Sequence, residues 1–424
     1  MSTGSSDIVV EVKDDAPVVC FVEPFFGGSH AQLEPYLRAA ATCSRARFVS
    51  CTLPPRKWGW RLAAGAVWAA SVIPRLPRGS TLFVSAMLNV AELLGLRCDL
   101  CGAGGRGGVR VVVYVHENQL EYPVRGGGGV VGVSIISPAG TRAAADGGEK
   151  EWARGWAQLM SVLSADCVIF NSSWNLDSFA ARVPALLKVI PGAEQRPDAS
   201  AVIKAIYARA IIVGVPLPRP PPQTATATAP TTTRLRVAWP HRWEYDKAPQ
   251  TFFDAILAPG VDCEVLLLGQ AFAGGGGGGG FNRGDTSSST PGADCADFAG
   301  ARAALEAAGR VVCWGGVTSR SEYLALLASA DVVCSTAIHE FFGVSTVEGI
   351  LSGAYPLVPD GLSYAELIMP DAREIRRPRA LRAARCRTCS AQCRLRSLRK
   401  RRCAARRTRG TPPPGAGSSR PCCS

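Results

Sequence analysis

Residues 18–30 read V-V-C-F-V-E-P-F-F-G-G-S-H. The first nine form an apolar run rich in β-branched and aromatic side chains, the composition of a buried strand. Gly27, Gly28 and Ser29 break the run, and apolar residues then recur at Leu33, Tyr36 and Leu37 with the spacing of a helix face. The unit is strand, glycine turn, helix, and the rest of the chain repeats it. Strands are expected at 47–53, 80–85, 109–115 and 167–171, with helices at 88–96 and 152–163. Further on, strands at 235–239, 263–268, 311–314, 332–335 and 356–358 alternate with helices at 250–257, 302–308, 321–329 and 343–351. Such alternation specifies parallel sheets covered on both faces.

Residues 216–233 hold six prolines and six threonines, a linker composition. The expected architecture is therefore α/β. Two Rossmann-like domains, 18–215 and 235–370, face each other across a cleft and are joined by a linker at 216–234. A disordered N-terminus is expected at 1–17. Seven consecutive glycines lie in 273–300 and mark a flexible insertion with no strand-turn-helix frame. Ligands of open α/β sheets bind beyond the carboxyl ends of the strands.

At 47% hydrophobic and 19% charged residues, the 424-residue chain is neither disordered throughout nor a coiled coil. No apolar run approaches the roughly 18–20 residues of a membrane helix, and the N-terminus carries acids where a secretory signal has bases. A cytoplasmic location follows, with the ten cysteines before residue 371, of 16 in all, expected as buried thiols and Cys98/Cys101 as an unrelated pair. The net charge of +13 is misleading: residues 371–424 hold 17 basic and 2 acidic residues, leaving 30 basic and 32 acidic before them. The charge argument for nucleic acid thus concerns a low-complexity tail, expected to be disordered or a gene-model artefact. Its R-K-R-R at 399–402 keeps a nuclear location open, and Cys386, Cys389 and Cys393 resemble a zinc cluster only superficially. The glycine run at 126–129 and the stretch 137–149 read as padding.

All four histidines, His30, His116, His241 and His339, fall at or just past the carboxyl ends of expected strands, inside polar clusters. Together they mark a site. Gly27 and Gly28 let backbone N–H groups approach an anion beside His30. His116, Glu117 and Asn118 offer a histidine, a carboxylate and an amide to a polar substrate. His241 opens H-R-W-E-Y-D-K, where Arg242 and Lys247 supply a planar fork and a point charge suited to a diphosphate. The segment 339–349 reads H-E-F-F-G-V-S-T-V-E-G. Its helix should begin near Gly343, with Glu340 before it, Glu348 about one and a half turns in, and the N–H groups of Gly343 and Val344 turned toward a phosphate. The two glutamates could hold hydroxyls of two sugars. Each motif alone also reads as a hydrogen-bonded turn or a solvated charged loop.

The E-x7-E and R-x4-K segments and the two-domain layout resemble retaining GT-B glycosyltransferases of the family-4 kind. F-F-G-G-S-H, T-L-P-P-R-K-W-G-W-R (52–61), H-E-N-Q-L-E-Y-P, A-D-C-V-I-F-N-S (165–172), W-P-H-R-W-E-Y-D-K and H-E-F-F-G-V resemble, as a set, a tRNA-modifying branch of that family. The resemblance covers residues 21–370. It implies GDP-mannose as donor, queuosine at the wobble position of tRNA-Asp as acceptor, and retained anomeric configuration. It also implies His116 near the transferred sugar, Arg242 and Lys247 on the diphosphate, Glu340 on the sugar and Glu348 on the ribose. No metal or other cofactor is expected: the chain lacks D-x-D, and two cations can take a metal's charge-neutralising part. A lipid or saccharide acceptor, or an inactive tRNA-binding protein, remain alternative readings, and nothing in the chain specifies an oligomeric state.

Overall fold

The computed structural model describes residues 16–56, 58–101, 108–121, 145–218, 234–269, 298–317 and 319–368. The N-terminus, the glycine run at 126–129, most of the linker and of the 273–300 insertion, and the 371–424 tail with its cysteines and its R-K-R-R lie outside the described residues.

The first half of the chain forms β1 (Val18–Glu23), α1 (Gly28–Ala31), α2 (Leu33–Cys43), β2 (Arg47–Thr52), α3 (Trp58–Val72), β3 (Thr81–Ser85), α4 (Val90–Leu96), β4 (Arg110–Val115), α5 (Ala145–Ser164), β5 (Cys167–Phe170), α6 (Ser173–Leu187), α7 (Ala199–Tyr207) and β6 (Ala210–Ile212). The second half forms β7 (Leu235–Trp239), α8 (Pro249–Ile256), β8 (Cys263–Leu267), α9 (Ala299–Ala307), β9 (Val311–Trp314), α10 (Arg320–Ala328), β10 (Val332–Cys334), α11 (Val344–Leu351), β11 (Tyr355–Leu357) and α12 (Tyr364–Leu367). The expected strands fall within a residue or two of these bounds, except that β1 ends at Glu23 rather than running on through Phe26.

The first sheet runs β2-β1-β3-β4-β5-β6 and the second β11-β10-β7-β8-β9, every pair parallel. The strand order reverses between β1 and β3 in one sheet and between β7 and β10 in the other. These switch points are where crevices open in such sheets. Both faces of the first sheet are packed. Cys20, Val22, Leu82, Val84, Val111 and Val113 lie on one face, while Phe21, Phe83, Val112 and Tyr114 meet Leu33 on the other. That two-sided burial is why β4, R-V-V-V-Y-V, carries an uninterrupted apolar run rather than an alternating one.

The two sheets share one device. S-A-D before β5 and S-A-D before β10 each place an aspartate across the preceding inner strand. Asp166 accepts from Val111 N at 2.8 Å and returns its own N–H to Val111 O at 3.0 Å. Asp331 does the same to Arg236, at 2.8 and 2.9 Å. The nine described cysteines are all free thiols, Cys98 and Cys101 among them.

Candidate active site

The loops at the carboxyl ends of β1 and β4 build one wall. Glu23, the last residue of β1, is fully buried. Its Oε1 accepts from Phe25 N at 2.8 Å and its Oε2 pairs with His30 Nδ1 at 2.9 Å. Gly27 is extended (φ −177°), so its backbone suits any residue. Space is the constraint, because a Cβ there would meet Pro55 at 2.6 and 2.8 Å. Gly28 has open space but φ +53°, the left-handed region that glycine enters without strain. The turn drives His30 inward, where its ring stacks on His116 with centroids 3.8 Å apart and planes at 26°.

His116 is buried, and neither ring nitrogen finds a hydrogen-bond partner among the described residues. Its backbone is clamped: Asn171 Nδ2 donates to His116 O at 2.8 Å, and Asn175 donates to Val115 O at 3.2 Å and to Asn171 Oδ1 at 2.7 Å. Burial opposes charge on His30, but the Glu23 carboxylate outweighs it and raises the pKa above the usual histidine range. His116 goes the other way, pushed well down by burial and then by the His30 charge. The wall thus pairs a carboxylate-held imidazole shifted toward its charged form with one shifted toward its neutral form.

Glu23, His30 and His116 each offer a ligand atom, all within 4.8 Å of one another. As a trio they are not marked in the sequence. Its geometry suits the ion pair better than a metal: an imidazole binds in its ring plane, and rings stacked at 3.8 Å cannot both aim at one ion. Asn118 is a correction to the sequence reading. It is fully buried, donating to Ser178 Oγ at 3.2 Å and accepting from Leu120 N at 2.8 Å, so it shapes its own loop rather than reaching for substrate. Glu117 is half-buried and contributes to the fields at both His30 and Glu244, which puts its carboxylate on the interlobe side.

The opposite wall comes from the loops after β7 and β10. Ala248 at φ +46° and Pro249 opening α8 close a tight turn over Tyr245–Lys247. Thr336 Oγ1 donates to Lys247 O at 2.7 Å, and Ile338 N donates to Asp246 O at 2.8 Å, so the two loops are sewn together. Inside them Lys247 Nζ donates to His339 O, Asp246 Oδ2 and Glu340 Oε2, each at 3.0 Å. Burial disfavours the ammonium, yet Glu340 and Asp246 more than offset it and raise its pKa. Burial would raise Glu340, but Lys247 holds it down at about 2. His241 and His339 are both pushed to about 4, by burial first and then by Lys247. Gly269, two residues past β8, lets this loop approach: a Cβ there would lie 1.5 Å from His241 O. Arg242 is half-exposed, reaches Glu244 Oε2 at 3.3 Å, and its charge is felt by His30 on the other wall.

Gly343 caps α11 at φ +82°, and Val344 is its first residue, as the sequence predicts. Glu348 lies on this helix, but its carboxylate is not open as the sequence reading supposes. Arg320 donates to both oxygens, one at 3.2 Å, and Tyr323 Oη donates to Oε2 at 3.1 Å. Any ribose hydroxyl must share or displace those donors.

The two walls touch. Ser172 Oγ donates to Phe341 O at 2.6 Å, Trp174 packs against Phe341 and His339 (ring centroids 5.6 and 6.0 Å), and Gly214 leaves room for the Phe342 ring. Glu366 of α12 accepts from Ser173 N at 2.8 Å and Trp174 N at 2.9 Å, capping α6 from the other half. Arg242 therefore faces His30 across the gap between the walls. Asp246, Glu23, Arg320, Tyr323, Asn171, Ser172 and Glu366 join the site without having been singled out in the sequence.

Two parallel α/β sheets whose strand ends oppose each other across such a gap define a GT-B glycosyltransferase. The catalytic domain of starch synthase IV from Arabidopsis thaliana, solved with ADP and acarbose, has the same fold, with a TM-score of 0.50 over 85% of this chain and 86% of that one at 10% identity. The family described as tRNA-queuosine alpha-mannosyltransferase N-terminal matches residues 18–217. A Drosophila melanogaster protein named tRNA-queuosine alpha-mannosyltransferase is 31% identical over 357 residues, 83% of this chain and 81% of its own length. The chain belongs to the tRNA-queuosine alpha-mannosyltransferase family.

Proposed function

We propose that the chain transfers mannose from GDP-mannose to queuosine at the wobble position of tRNA-Asp, with retention of anomeric configuration, and that it does so in the cytoplasm. The single observation that carries the chemistry is the buried Lys247–Glu340 pair at the meeting point of the β7 and β10 loops, with the Arg242 charge felt by His30 on the other wall. Arg242 and Lys247, with the N–H groups of Gly343 and Val344, receive the diphosphate. Lys247 already spends three donors on protein oxygens, so the half-exposed Arg242 makes first contact and Lys247 exchanges a carboxylate for phosphate. Negative charge grows on the leaving diphosphate, and these cations stabilise that growth. Glu340 accepts from a sugar hydroxyl, and neutral His116 offers a ring nitrogen to the sugar on the other side. The departing diphosphate takes the proton of the acceptor hydroxyl, so the new bond forms on the face the old one left. No resident metal is invoked.

Labelled GDP-mannose should mark queuosine-containing tRNA and leave queuosine-free tRNA unmarked. Lys247→Ala and Glu348→Ala should weaken donor binding, while Glu340→Ala should still bind GDP but turn over slowly. Label from a different nucleotide sugar only, or label on a lipid or oligosaccharide instead of tRNA, would replace this reading. Full turnover in Glu340→Ala would remove its assigned role.

A further inference from the structure

Residues 35–91 contain eight basic residues and no acidic one, whereas the rest of 1–370 holds 22 basic and 32 acidic. The near-neutral body thus hides a strongly polarised segment. It folds into most of α2, the whole of β2, α3 and β3, and β2 is the open edge of the first sheet. At the carboxyl end of β2, Phe26 N bonds Leu53 O at 2.9 Å and Pro55 fills the space beside Gly27. The loop bearing Arg56 therefore lies against the glycine turn that positions His30. Arg61 donates to Arg56 O at 3.2 Å and Pro54 O at 3.4 Å and lays its guanidinium 4.8 Å from the Trp60 ring centroid. Trp60 is 50% exposed. Arg45 stands exposed at the amino end of β2, and six strand residues separate the two ends by about 20 Å.

A cationic strip of that length ending in an exposed aromatic fits a folded RNA better than a peptide or a small saccharide. The phosphates of a stem meet the arginines, and an unstacked base meets the ring. We propose that this β2 edge is the RNA-docking surface, with Arg45 and Arg56 on phosphates and Trp60 stacking a loop base at the mouth of the cleft. The inference rests on the RNA-acceptor reading above and moves the phosphate grip from the basic tail to the body.

The test is direct binding of queuosine-containing tRNA to the full chain at three salt concentrations, read by fluorescence anisotropy. Arg45→Gln/Arg56→Gln should weaken binding on the order of tenfold at low salt and lower the log–log salt slope by about 1 to 2. Trp60→Ala should weaken it on the order of tenfold with the slope kept. GDP binding by both variants should match the parent, which separates lost RNA contact from lost folding. Deleting 371–424 should leave most of the salt slope in place. Unchanged affinity and slope in the double variant, a slope that vanishes with the tail, or binding to phosphatidylserine vesicles in place of RNA would overturn the proposal. If RNA binding follows the edge but no mannose is transferred, the function fails and the surface stands. If transfer occurs and the edge variants bind normally, only the surface fails.

Discussion

Lys247 shows how a single residue can tie stability to the proposed chemistry. Its ammonium sits between Asp246 and Glu340, almost out of water, so each charge is tolerable only because the others are present. Glu340 titrates near 2 when folded and near 4.5 when free. A depressed carboxylate adds stability above its unfolded pKa and loses it as pH falls through the folded one. The expected outcome in urea unfolding is that the advantage of the parent over Glu340→Gln shrinks by about 3 kcal/mol between pH 5 and pH 2. Lys247→Ala should cost roughly 3–5 kcal/mol at pH 7, because two buried carboxylates lose their cation, and less at pH 3, where they can protonate. An equal cost at both pH values would mean the pair is solvent-screened. The sequence marked Lys247 and Glu340 by their place after apolar strands. Asp246, the third member, looked like one charge in a solvated loop, because nothing in the order of residues says that the β7 and β10 loops are knitted together. Glu23 did carry a signal, as a lone carboxylate ending an apolar strand, but a partner seven residues away becomes visible only once the glycine turn is folded. Arg320 lay one residue before the expected helix at 321–329 and gave no sign that it would close over Glu348.

Elements enter the site through their ends, and three glycines show three different reasons for it. Gly28 needs its backbone angle, Gly27 needs its missing side chain, and Gly343 needs both: a Cβ on its φ +82° backbone would lie 2.7 Å from Tyr364 Cε1. Tyr364 cannot easily yield, since its hydroxyl donates to Ser335 Oγ at 2.9 Å and lies 3.2 Å from Thr346 Oγ1. Gly28→Ala should therefore cost about 1–2 kcal/mol in thermal melts, and Gly27→Ala about 1–3 kcal/mol from overpacking. Gly343→Ala should cost the most and should raise the donor KM, because it tilts the first N–H groups of α11. Gly27→Ala should instead act on the tRNA KM by shifting Pro55 and Arg56. If all three variants raised both constants alike, the separate parts given to these turns would be wrong. Most strands and five-residue or longer helices of the second half were legible from alternation alone. α3 was not, because its apolar stretch is broken by Gly65 and followed by Pro74; the glycine is there because Leu88 Cβ comes within 3.1 Å of where a side chain would start. α6 carries Pro184 near its end and went unread as a helix for the same kind of reason. The paired S-A-D turns were plain in the sequence as letters, but their shared bonding across an inner strand is a property of the sheet.

At the scale of the molecule, the described hydrogen bonds between the two halves pass through loops of the candidate site. Phe341 follows Glu340 directly, and its carbonyl takes the Ser172 hydroxyl, one residue after the asparagine that clamps His116. Glu366 adds a carboxylate to the N-terminus of α6, where unpaired N–H groups and the helix dipole favour negative charge. The described contacts place a closing element at α12, before residue 370. Removing the cap should cost about 0.5–2 kcal/mol, but its larger effect should be on the gap between the walls. Glu366→Ala is expected to raise the radius of gyration in small-angle scattering and to lower kcat/KM for the donor by roughly five- to tenfold, with Glu366→Gln between it and the parent. Ser172→Ala should act in the same direction. Because both contacts fasten α6 to the same neighbouring loops, the double variant should lose less than the two single losses added, with an interaction energy of about 0.5–1 kcal/mol. Strict additivity, or a compact Glu366→Ala enzyme with normal donor kinetics, would show that the halves are aligned by other contacts and that α12 merely rests on α6.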